Sequence, residues 1–179
     1  MRTDEPTSSE IANATFILSE DDYRAIGTAV ACLSWLETIL GNAILASEIG
    51  IETVLAESEH SKKFQSVAKK SFFKRVKAIG RCIEQKGIAK KAAETFEHNL
   101  TEVLKWRNFL CHASFKKLPD GRVHGVFWDR ESFDENSAPI VRTFSAVELF
   151  KVAQSATELS KWLLEEFGTL SKTSNKCTD

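Results

Sequence analysis

Apolar residues recur along most of this chain with the spacing of one helix face. Ser19, followed three residues later by Asp22, has the look of a helix start, because both side chains can satisfy orphan amides of a first turn. From there to about Ser47, Ile26, Val30, Leu33, Leu40 and Ile44 fall on one stripe at about 100° per residue, with Glu37 in its middle. A second helix is expected from about Ser61 to Gln85. Phe64, Ala68, Phe72, Val76, Ile79 and Ile83 form its apolar side, and Gly87 suits its stop. A third is expected from about Ala89 to Ala113 on a stripe of Ala89, Ala93, Phe96, Leu100, Val103 and Leu110, with Arg107 at its centre. Ser145 with Glu148 forms a capping box for a last helix running to about Phe167, with Leu149, Val152, Ala156, Leu159 and Leu163 inward.

Between the third and last helices the period changes. Leu118-Pro119-Asp120-Gly121 is a turn signal, Val123 to Trp128 reads as a strand, and Ile140 to Phe144 reads as a returning strand. Residues 116–144 are therefore expected to form a small β-hairpin insert. Residues 1–18 and 168–179 are polar and expected to be flexible ends, leaving 19–167 as one helical domain. The fold class is mainly α: an up-down bundle of four to five helices with a hairpin before the last one.

Composition narrows the class without naming a partner. The 179 residues are 42% hydrophobic and 27% charged, as in an ordinary soluble domain, and 8 Gly with 3 Pro are too few for the turns of a β-sandwich. Cys32, Cys82, Cys111 and Cys177 lie tens of residues apart with no CxxC spacing, which argues against a disulfide framework or zinc site and for reduced thiols in the cytoplasm. The N-terminus has no basic-then-apolar signal region, and the apolar stretch 29–46 is broken by Glu37 and Asn42, a poor membrane span. No membrane partner and no cofactor are expected. No phosphate-cradling glycine loop and no metal-ligand spacing of carboxylates stands out.

The overall net charge of −1 hides a separation. Residues 1–59 carry 2 basic and 11 acidic groups, net −9, whereas residues 60–91 carry 11 basic and 1 acidic, net +10. On the second helix Lys63, Lys70, Lys74, Lys77 and Arg81 cluster within roughly 60°, a positive ridge about 27 Å long. Such a ridge can be a solvated face, a track for a nucleic-acid backbone, or a dock for an acidic protein surface. Phe73, near the basic side, can stack on a base or pack on a neighbouring helix.

Arg107 and Glu37 each break an apolar stripe. Opposite charges that both face a core suggest each other as partners, because unpaired burial costs several kcal/mol; a purely structural clamp would satisfy the same observation. Asn108 and His112, four residues apart, project from one side of the third helix, while His112 lies about 140° from Arg107. An imidazole can move protons near neutral pH, and a guanidinium can hold a phosphate with a planar fork of donors. Together they suffice for metal-free RNA cleavage: a base takes the 2′-hydroxyl proton, a cation steadies the phosphorane, and an acid protonates the leaving oxygen. His60, His98 and His124 are scattered, Cys111 points about 100° away from His112, and Trp106, Trp128 and Trp162 read as packing anchors.

Arg107-Asn108-x-x-x-His112 near a helix end resembles the R-x(4–6)-H signature of HEPN domains. The resemblance covers the helical portion, about 20–115 and 145–167, and its specific match is six residues. It implies a metal-independent endoribonuclease of toxin–antitoxin, antiphage or CRISPR systems, with Arg107 and His112 catalytic, Asn108 supporting them and Glu37 holding Arg107. It also implies a homodimer, in which one chain's Arg serves the other's His, and it admits an antitoxin or other protein partner. Some HEPN members serve as non-catalytic modules that bind RNA or protein, and that alternative stands beside the enzyme.

Overall fold

The computed structural model describes residues 5–50, 65–67, 69–70, 72–128 and 138–168. Those residues are mainly helical with a small three-stranded sheet. The elements are α1 (Ser8–Ala12), α2 (Glu20–Ile49), α3 (Phe72–Gln85), α4 (Lys90–His112), β1 (Ser114–Lys117), β2 (Val123–Phe127), β3 (Ile140–Phe144) and α5 (Ala146–Gly168).

Local chemistry sets the helix starts. At α2 the Asp22 carboxylate accepts the Ser19 amide at 2.9 Å, and the Asp22 amide donates to Ser19 Oγ at 3.3 Å. The same reciprocal box opens α5, where the Ser145 amide donates to Glu148 Oε2 at 2.7 Å and the Glu148 amide donates to Ser145 Oγ at 3.3 Å. A third box, Thr7 with Glu10, opens α1. Residues 5–18, expected as part of a flexible lead, therefore carry a helix. They also carry a bridge: the Thr15 amide donates to the Lys117 carbonyl at 2.9 Å and the Lys117 amide donates back at 2.7 Å.

The second expected helix is shorter than its apolar pattern. Residues 65–67 are helical, but Lys69 and Lys70 form a turn and bend, and the α3 ladder starts at Phe72. The Lys70 amide closes a tighter bond to the Val67 carbonyl at 3.0 Å, the short-step geometry with which helices end. Apolar spacing survives such a break because it reports which side is buried, not whether the ladder is continuous. Gly87 adopts φ +80° just after α3, where its amide donates to the Glu84 carbonyl at 2.9 Å.

Two compact units share the chain: Met1–Cys32 with Lys105–Gln154, and Leu33–Leu104 with Ser155–Asp179. The second unit is an aliphatic helix pack. Leu33, Leu36, Leu40 and Ile44 of α2, Ile79 and Ile83 of α3, Leu100 of α4 and Leu163 of α5 are fully buried. Gly80 on α3 leaves room for the Glu97 side chain of α4, which a Cβ there would displace.

The first unit is built on the sheet, of order β1-β2-β3 and antiparallel throughout, with Phe115 opposite Gly125 and Phe127 opposite Ile140. β1, which follows α4 after one residue, extends the expected hairpin to three strands. Residues 129–137 of the insert and 169–179 of the tail lie outside the described residues. Lys117 on β1 reaches back to Asp22, Nζ to Oδ2 at 2.6 Å. By length and composition α2 is long and apolar enough to cross a membrane, a test that the core helix of a soluble protein also passes, and 56% of its apolar window is buried.

Candidate active site

The last two turns of α4 are clamped to the sheet by aromatic rings. Phe109 is buried and meets Trp106, Phe115 and Phe144 edge-on, at centroid distances of 6.0, 6.1 and 6.2 Å. Gly125 permits this approach, because a Cβ at that position would sit 2.6 Å from Phe109 Cζ. The Arg142 guanidinium lies over the Trp106 ring at 4.5 Å and over the Phe109 ring at 5.8 Å, cation–π contacts that hold both rings. Helix bonding persists to Ala113, whose amide donates to the Phe109 carbonyl at 2.8 Å, and β1 begins at the next residue.

This clamp presents the three expected site residues. Arg107 is half-buried, and its Nη1 donates to Asn108 Oδ1 at 3.3 Å. Asn108 and His112 are exposed. The His112 ring stacks on Phe127 of β2 at 5.9 Å and 28° between planes. Arg107 and His112 are separated by about 140° and about 7.5 Å along the axis of an ideal helix. The arrangement joins Arg107 to Asn108 and His112 to Phe127, with the His112 side chain exposed. Chemically it offers a planar phosphate-binding cation, an amide to orient it and an accessible proton carrier.

Glu37 of α2, expected to hold Arg107, accepts from Arg75 Nη2 at 3.1 Å, with both side chains less than one-fifth exposed. Arg75 received no role from the sequence, since its charge merged with the surrounding lysines. Of the basic ridge, Lys63 lies outside the described residues. Lys70 sits in the bend and pairs with Glu48 at 3.6 Å. Lys74, Lys77 and Arg81 are exposed on α3, opposite buried Val76, Ile79 and Ile83. The continuous helix expected under the ridge is interrupted at Lys69 and Lys70, and Lys74, Lys77 and Arg81 span about 10 Å along α3. Phe73 lies on α3, but its side chain is outside the described ones.

On the opposite face of β2 from Phe127, His124 is buried, and its Nδ1 is 3.1 Å from Thr143 Oγ1. Burial, with Lys116 across the ladder, holds its pKa below the ordinary imidazole range, so this histidine is a neutral structural partner at pH 7. Cys32, Cys82 and Cys111 are free thiols, and among the described residues no group of three potential ligands converges on a metal position. A hollow of about 880 Å³ lies in the second unit over Phe96 and Trp162, whose rings are 4.5 Å apart. It is predominantly apolar and contains no histidine. Phe127, Arg142 and Gly125 were not signalled as site-supporting positions. Comparison with protein-family models, curated proteins and solved structures finds no match to this chain.

Proposed function

We propose that this protein is a metal-independent endoribonuclease of the HEPN type, an up-down helical bundle acting on RNA as a cytoplasmic homodimer. The observation that carries this reading is Arg107 joined to Asn108 on the same helical turns that leave His112 exposed at the end of α4. His112 takes the proton of a 2′-hydroxyl, the 2′-oxygen attacks the adjacent phosphorus, and the guanidinium of Arg107 stabilises the charge on the phosphorane oxygens. The bond to the 5′-oxygen then breaks as that oxygen is protonated, leaving a 2′,3′-cyclic phosphate and a 5′-hydroxyl. Asn108 orients Arg107. A second copy of the chain resolves the angular separation, with each Arg107 serving the other chain's His112. The same proposal includes a toxin–antitoxin or antiphage role, with a protein antitoxin able to cover the site.

Purified protein should cleave RNA in EDTA, and His112→Ala should abolish cleavage while leaving circular dichroism and oligomeric state unchanged. A requirement for added metal, or full activity in His112→Ala, would refute the mechanism. A second reading, an RNA-binding module without catalysis, is favoured by the exposed Lys74, Lys77 and Arg81 on α3. It predicts salt-sensitive RNA binding, weakened by charge removal at those three positions, with no product after hours.

A further inference from the structure

We infer that Phe127 is a positioning residue for His112, and that the small sheet serves to carry it; this rests on the ribonuclease reading. His112 is the last residue of α4, where a side chain has no following turn to restrain it and an exposed imidazole would sample several rotamers. Here its face lies nearly parallel to the Phe127 ring, at 5.9 Å and 28°. Stacking on Phe127 restrains the plane of the imidazole, and a restrained ring plane is what aims the nitrogens of a proton carrier.

Phe127 is itself held on the last residue of β2, paired with Ile140 of β3. Two residues back on the same face, Gly125 lets that strand close on Phe109, one helical turn before His112. The chain Phe109–Gly125–Phe127–His112 thus ties the imidazole to the buried aromatic cluster through two rigid elements. A reacting group displaced by about 1 Å can lose about a hundredfold in rate, so one stacking contact can govern turnover without touching RNA.

The test compares the full chain with Phe127→Leu and Phe127→Tyr, using a short RNA oligonucleotide in EDTA. Phe127→Leu should lower kcat by about tenfold to a hundredfold with KM within about twofold, because substrate contacts remain. Phe127→Tyr, which keeps the ring, should restore most of the rate. Wild-type turnover in Phe127→Leu would overturn the inference. The His112 ring-proton resonances provide a readout independent of cleavage: they should carry a ring-current shift that Phe127→Leu removes and Phe127→Tyr keeps. If the unaltered protein cleaves no RNA while those shifts behave as stated, the ribonuclease reading fails and the positioning contact stands. Identical His112 resonances in the unaltered protein and Phe127→Leu would overturn the contact itself.

Discussion

The two units bury their cores by different means. One packs mainly leucine and isoleucine from helices, with Phe96 against Trp162 beside them, whereas the other interlocks aromatic rings between the end of α4 and a three-stranded sheet. Aliphatic side chains fill space with little directional demand. Rings meeting edge-to-face fix angles as well as distances, and the candidate site residues stand on that more directional unit. Their carboxylates differ too. Asp22 in the aromatic unit is pushed up by burial, but the Lys117 and Ser19 hydrogen bonds outweigh this and hold its pKa below the usual carboxylate range. Glu97 in the aliphatic unit is pushed above that range by burial, with Glu84 and Glu94 adding and Lys77 opposing.

The largest effect on stability should come from the rings. Phe109→Ala should cost about 3–5 kcal/mol and Leu40→Ala about 2–5 kcal/mol in chemical denaturation. Only Phe109→Ala should also reduce RNA cleavage under conditions where both variants remain folded. Equal activity losses in the two would erase the functional distinction between the units.

Asp22→Asn should cost about 1–2 kcal/mol at pH 7 by removing the charge facing Lys117. Because the folded pKa of Asp22 is depressed, its contribution is present above the unfolded value near 3.8 and is lost as pH falls through the lower folded value. The gap between the unaltered protein and the variant should therefore narrow progressively in acid melts as pH falls below 3.8.

Glu97→Gln should have the smallest effect and the opposite sign. A raised folded pKa makes the ionised carboxylate a cost above the unfolded value, so the amide should raise the melting temperature slightly at pH 7 and make no gain below about pH 4. A destabilised Glu97→Gln at pH 7 would show that the carboxylate has a compensating partner.

Most of the helical fold is legible in the chain because its causes are local. The Ser19–Asp22 and Ser145–Glu148 boxes, the glycine after α3 and the apolar stripes of α4 and α5 all act within a few residues. The α1 box was hidden in a polar lead too short to show periodicity, and the break at Lys69–Lys70 was hidden because helical spacing continues across it. The presence of Arg107, Asn108 and His112 near the end of one helix was likewise readable from order alone.

What those residues meet was not. Glu37 with Arg75, Asp22 with Lys117 and His112 with Phe127 are separated by 38, 95 and 15 positions. The His112–Phe127 stack needs the strand that Gly125 brings onto the ring of Phe109, whereas Glu37 and Arg75 meet between α2 and α3. Capping and periodicity act through bonded neighbours and can be read along the chain, whereas charge pairing and ring stacking depend on distances that exist only after the backbone has closed on itself.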